Sequence, residues 1–218
     1  MEAVTSVLAI KKEKNDFLKL VGILAMAVDH IGLVFFPQIT GLRIIGRLAL
    51  PIFAAGIADG YRYTKDLKKY IARLIVFGLV SQIPYIFLFE KYNLNIFFTL
   101  ALSLVLIYSV DKKNYLLSLA TLVISFFVKV DYGIYGVILA ALFYFFRANK
   151  IWQLVSLTAA TLVYCYFQGY LIQLYAVIGF LLAIYFPNDE IKMTLPKHFF
   201  YWFYPVHLVI IIIIKQFV

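Results

Sequence analysis

Apolar runs of about 15 to 20 residues recur from one end of this chain to the other, and no other feature limits its fold as strongly. Hydrophobic residues make up 64% of the 218 and charged ones only 14%, more apolar surface than one soluble core would use. A soluble domain is excluded. The expected fold is an all-α, polytopic membrane helix bundle of about nine transmembrane helices, over 17–36, 42–61, 70–89, 94–110, 115–130, 132–147, 151–167, 171–187 and 198–215. The shortest of these rise only about 24 Å, so they must stand upright, thin the bilayer or lie against other helices. Short connections make neighbours antiparallel and leave no room for a linker, so the reading is a cytoplasmic segment 1–16 followed by a single transmembrane domain 17–218. The start, MEAVTSVLAIKKEKND, has no small-residue cleavage pattern, and the first span is expected to be retained.

A formal charge of +9 raises the question of nucleic acid, but Lys and Arg fall in short clusters between the apolar runs, not along one polar face. They read as topology signals. KKEKND, YRYTKDLKK, DKKN, RANK and NDEIKMTLPK alternate with PQITG, EKYNLN, KVD, QGY and the tail KQFV. By the excess of Lys and Arg in cytoplasmic loops, the first set lies inside, which puts the N-terminus in and the C-terminus out. The lone Cys165 makes no internal disulfide and reads as a small packing residue.

Depth gives the intramembrane polar residues meaning, because ionisable groups in hydrocarbon are costly and face a partner, the bundle interior or a water-filled cavity. Asp29 and His30 interrupt ILAMAVDHIGLVFF about 20 Å from the cytoplasmic side of the first span. Arg43, Arg47, Asn95 and Thr99 enter their spans from outside; Asp131 and Tyr132 sit at an outer turn; His207 follows FYWFYP, which contains Tyr204. Residues of at least five helices therefore converge in the outer half. Asp29 points about 100° away from His30, a poor orientation for steering that imidazole, and is expected to pair with Arg43 or Arg47 in a structural or a catalytic role. Asn95 and Thr99, one turn apart, suit either inter-helix hydrogen bonds or an acceptor or oxyanion. Asp59, with Arg62 nearby, lies at the inner end of the second span and pairs with cations or borders an entrance.

Lys19 and His30 are eleven residues apart, which places them within about 20° of one helix face and about 16 Å apart in rise. Two readings stand. Lys19 holds phosphates at the inner interface while His30, at the far end of a pantetheine arm, works as a base; or Lys19 snorkels and His30 bridges helices.

The segments DHIG, LRIIGRLALPIFAAGIADGYRYTKDLKKY, VSQIPYIF, LNIFFTLALSL, DYGIYGV and FYWFYPVHL resemble the TraX family nearly end to end. The named member of that family N-acetylates conjugative pilin, and the family is similar to a wider membrane acyltransferase superfamily. There a basic residue, ten intervening residues and a histidine form a signature in the first span, which Lys19 and His30 fit. The resemblance implies an acetyl-CoA-dependent acyltransferase that moves acetyl from the cytoplasm to an acceptor at the outer face. His30, Asp29 and His207 are then the catalytic candidates, with His30 as base or acetyl carrier. Arg43, Arg47, Asn95, Thr99, Asp131, Tyr132 and Tyr204 are acyl- or acceptor-binding; Lys19, Asp59 and Arg62 face the donor. The expected acceptor is a protein or peptide N-terminal amine, with a cell-surface glycan hydroxyl as the alternative. The expected surroundings are a bacterial inner (plasma) membrane, with no metal and no nucleic acid. A proton-coupled transporter would also bury Asp, His and Arg, but no repeated halves are visible; an assembly factor would leave the Lys19–His30 alignment unexplained.

Overall fold

Proline and the polar residues at run ends decide where these apolar stretches start, stop and bend. The computed structural model describes residues 16–186, 193–196 and 198–217. The KKEKN cluster, the whole NDEIK stretch, Lys197 and the final valine of the KQFV tail lie outside the described residues. The described elements are α1 (Phe17–Phe35), α2 (Thr40–Gly46), α3 (Ala49–Tyr63), α4 (Leu67–Phe89), α5 (Ile96–Asp111), α6 (Tyr115–Phe127), α7 (Gly133–Phe145), α8 (Lys150–Gln168), a 3-10 turn (Leu171–Tyr175), α9 (Ala176–Tyr185) and α10 (Phe199–Lys215). They follow the nine expected spans, with two spans broken internally.

The break in the second span has a chemical cause. Pro51 has no amide to offer the carbonyl four residues back, which is Arg47, and its ring crowds that carbonyl. The helix tightens there, with Arg47 and Leu48 amides bonding Ile44 and Ile45 at 3.1 Å, before α3 resumes. Four other helices have starts capped by side chains. Asp66 accepts from the Lys69 amide, Asn95 from Phe97, Asn114 from Leu117, and Asn149 from Ile151 and Trp152. The Lys69 amide hydrogen bond also holds the Asp66 carboxyl below its usual range.

α1, the α2–α3 unit (Thr40–Tyr63) and α4 are each long and apolar enough to cross a membrane, and shorter apolar helices complete the set. α6 and α7, at 13 residues each, rise only about 20 Å and lean on longer neighbours. Polarity is distributed as lipid demands. Asn95, Thr99, Ser103, Thr161 and Gln173 are fully buried, whereas Phe87, Leu116, Phe127 and Phe167 are each more than 70% exposed. This is a membrane protein.

The centre of the bundle is α3, α5 and α7, whose Ala54, Leu104, Ile107, Val137, Leu139 and Ala140 are completely buried. α1 packs on α2, α3 and α10, and α4 on α5 and α10. Without a hydrophobic driving force between helices in lipid, close backbone approach has to supply dispersion. Gly32 lets α1 meet Leu42 of α2, where an added Cβ would fall 2.6 Å from the leucine Cβ. The loops and helix ends carrying Lys65, Lys68, Lys69, Lys112, Lys113 and Arg147 share one end, the lysine-rich end. At the distal end a single bridge between Leu94 and Val130 ties the α4–α5 and α6–α7 connections together. The Leu94 amide donates to Lys129 and its carbonyl accepts from Asp131, both at 2.8 Å.

Candidate active site

Asp29 is the pivot of the distal end. Its carboxylate is 2.8 Å from the Arg43 guanidinium and 2.7 Å from that of Arg47, and it is almost wholly buried with Arg47. The expected pairing therefore forms with both arginines, not one. The helix break at Arg47 aims its side chain inward. There Nε donates to the Arg43 carbonyl at 3.2 Å, and Nη1 donates to Gln173 Oε1 at 3.1 Å and to the Tyr132 hydroxyl at 3.3 Å. The Tyr132 and Tyr170 rings lie about 6 Å from the same guanidinium. A buried charge needs partners of this number to offset its desolvation. Gly46 makes the arrangement possible, since a Cβ there would collide with the Asp29 side chain.

His30 faces away from this cluster. Its Nδ1 is 2.8 Å from His207 Nε2, and the two rings stack 5.1 Å apart with only 10° between their planes. Phe89 and Tyr204 stand edge-on to His30, at 4.9 and 6.3 Å. The proton positions follow from the partners. His207 Nδ1 is 2.9 Å from the Phe203 carbonyl, which only accepts, so that nitrogen carries a hydrogen. When both rings are neutral, His207 Nε2 is then an acceptor, His30 Nδ1 is its donor, and the lone pair of His30 is left on Nε2. A backbone carbonyl on α10 thus sets which nitrogen of a histidine on α1 is basic. Chemically, the pair suits proton transfer or nucleophilic attack.

The other expected site residues divide by location. Asn95 is fully buried and donates its amide to the Gly78 carbonyl at 2.7 Å and to Gln82 at 2.9 Å, and Thr99 donates to the Asp131 carbonyl at 2.7 Å. Both hold the distal loops in place. Half-buried Asp131 has its carboxyl pushed up to about 6, chiefly by desolvation, with Lys91 and Arg47 acting in opposition. Tyr132 starts α7 with a φ of 59°, an uncommon conformation for a bulky residue. Lys19 lies at the other end of α1, 2.8 Å from fully buried Asp16 and 5.5 Å from the Phe200 ring. Lys19 and His30 consequently both face α10, as their spacing requires. Asp59 and Arg62 are 3.7 Å apart at the lysine-rich end of α3, away from the histidines.

Gln173 and Asp16 were not among the expected site residues. Gln173 joins Arg47 to the Tyr135 hydroxyl, which it meets at 3.4 Å, and its signal was a lone amide inside the apolar run YLIQLYAVIGF. Asp16 accepts from the Leu195 amide at 3.1 Å and so links the start of α1 to the approach to α10.

The family model described as TraX protein matches residues 14–215. The chain is similar to the probable fimbrial assembly protein FimC, serogroup H1, of Dichelobacter nodosus, with 28% identity over 238 residues that cover 92% of this chain and 95% of that protein. It also resembles uncharacterized protein RP591 of Rickettsia prowazekii (strain Madrid E), with 32% identity over 133 residues, 56% of this chain and 52% of that one. No solved structure matches. With a match that runs from just before α1 to the last residue of α10, the chain belongs to the TraX family.

Proposed function

We propose that this protein is a membrane-embedded acetyltransferase that passes an acetyl group from acetyl-CoA, at the lysine-rich end, to an N-terminal amine of a protein or peptide at the distal end. The observation that carries the reading is the His30–His207 contact at 2.8 Å, which leaves a basic nitrogen on the residue next to Asp29, whose carboxylate is held between two guanidiniums. Family membership, and a relative whose name ties it to fimbrial assembly, support a surface protein as acceptor.

In this mechanism the acceptor nitrogen attacks the thioester carbonyl, the new N–C bond forms as the C–S bond breaks, and His30 Nε2 takes the amine proton and returns it to the departing thiolate. His207 shares the charge of the imidazolium through its hydrogen bond to Nδ1. Arg43 and Arg47, with one carboxylate between two guanidiniums, stabilise the developing oxyanion. Tyr132, Asp131 and Tyr204 border the acceptor; Asn95 and Thr99 position that border. Lys19, Asp59 and Arg62 belong to the donor side. The protein sits in a bacterial cell membrane with the lysine-rich end in the cytoplasm, as its loop charges suggest.

The deciding experiment is mass spectrometry of surface and secreted molecules from cells with and without the protein, together with acetyl-CoA turnover by the purified protein. One added acetyl on a peptide N-terminus is the expected outcome. Acetylation only of a glycan would move the acceptor class, and no acetyl gain with no turnover would sink the enzyme reading.

A further inference from the structure

At the lysine-rich end, α3, α7, α8 and α9 enclose a cavity of about 230 Å³. Arg62, Arg147 and Lys150 line it, against Asp59 as the carboxylate among its lining residues. Two of these cations come from the RANK loop, whose charges otherwise serve only as topology signals. Their placement is built. The Arg147 guanidinium lies 4.4 Å from the centre of the Tyr144 ring, and its Nη1 donates to the Tyr144 carbonyl at 2.6 Å, near the C-terminus of α7. Lys150 holds its ammonium 5.0 Å from the Tyr185 ring. A second carboxylate, Asp111, stands behind Tyr144 and accepts from the Tyr61 and Tyr144 hydroxyls at 2.9 and 3.0 Å. Among the described residues, the cavity keeps an excess of cations.

One fixed planar guanidinium, a second loosely held one and an ammonium around a small volume are the donor set that phosphate oxygens take up. The space suits a phosphate or diphosphate and is too small for a whole nucleotide. We propose that this cavity binds a phosphate ester. Resting on the acetyl-CoA reading, it holds the nucleotide phosphates of the donor. Asp59, on the cavity wall, is twelve residues along the chain from Arg47, a rise of about 18 Å. That span is comparable to the one between Lys19 and His30, so the same pantetheine arm covers it. A phospholipid headgroup offers the same chemistry and is the other source to be tested.

The test uses the full-length protein in phosphatidylcholine nanodiscs, titrated with coenzyme A, and compares wild type with Arg147→Gln, Lys150→Gln and the double variant. Both side chains are exposed, and thermal unfolding measured on the same samples checks that the variants fold. The double variant is expected to bind coenzyme A at least about tenfold more weakly with unfolding unchanged, while Arg147→Lys keeps most of the affinity. Native mass spectrometry after exposure to phosphatidylglycerol forms the second arm. If coenzyme A affinity is unchanged but retained phosphatidylglycerol is lost in the double variant, the phosphate ester is a lipid headgroup and the site stands. If wild type binds no coenzyme A at all, the donor reading fails and the lipid arm alone decides the cavity. Unchanged coenzyme A affinity with unchanged lipid retention overturns the proposal.

Discussion

His30 Nδ1 and His207 Nε2 lie 2.8 Å apart although 177 residues separate them in the chain, and the Phe203 carbonyl fixes which of them donates. Removing either partner therefore has a distinct consequence. His30→Ala deletes the basic nitrogen and should lower acetyl transfer at least about a hundredfold while acetyl-CoA still binds. His207→Ala leaves the base but frees its tautomer, so a smaller loss, about tenfold, is expected. Turnover per folded molecule and thermal stability, measured on one preparation, check both. A bridging role alone would cost about 1 to 2 kcal/mol of stability and leave turnover intact.

Asp29→Ala strands two guanidiniums, one of them almost fully buried, and should destabilise the protein by about 3 to 5 kcal/mol. Adding Arg47→Met should recover part of that loss, because it removes the deeper of the two orphaned charges. A double-mutant cycle in detergent unfolding measures the recovery, and strictly additive losses would contradict the pairing.

Gly46→Ala places a methyl group against the Asp29 side chain, where the backbone of α2 has no slack. An overpacking cost of about 1 to 3 kcal/mol is expected, together with disturbed arginine contacts. Gly41→Ala, with open space around its Cβ position, is the control and should be nearly neutral.

Asp131 sets a pH dependence. Its carboxyl is raised from an ordinary value of about 4 to about 6, so between those values the folded protein holds more protons than the unfolded chain. Stability from this group is therefore full below about pH 4 and is lost as pH rises through about 6, by up to about 3 kcal/mol. Asp131→Asn should flatten that part of the profile. Thermal unfolding from pH 4 to 7 tests the sign, and an unchanged slope would remove Asp131 as its source.

The lysine-rich and distal ends should lie on opposite sides of the membrane. Cysteine labelling at Lys68 should report the cytoplasm, and labelling at Tyr92 the exterior. Reaction of both from one side would undo the loop-charge reading and the donor and acceptor sides with it.

The spans were legible because hydropathy is periodic along one dimension, and lipid punishes any polar exposure. Asp29 could be matched to Arg43 and Arg47 because they lie one hairpin away. The partner of His30 was another matter: both histidines were visible, but the register of α10 on α1 depends on packing through Phe200 and Tyr204, which no local pattern encodes. The second span read as continuous because hydropathy does not register a proline; Pro51, at the middle of that span, leaves the Arg47 carbonyl without an amide four residues on. Gln173 escaped notice for want of a second polar residue beside it.

The pairing of Asp29 with Arg43 and Arg47 also bears on how the protein is made. α1 leaves the ribosome before α2, with an acid in its distal half whose counter-charges arrive only with that next helix. Alone in the bilayer, such an acid costs up to about 2.5 to 3.5 kcal/mol, the value at a helix centre. With α2 beside it and Gly46 allowing contact, the charge is met within the hairpin. The pairing therefore favours entry of the first two spans into the lipid as one unit, so that these residues bear on insertion as well as on packing.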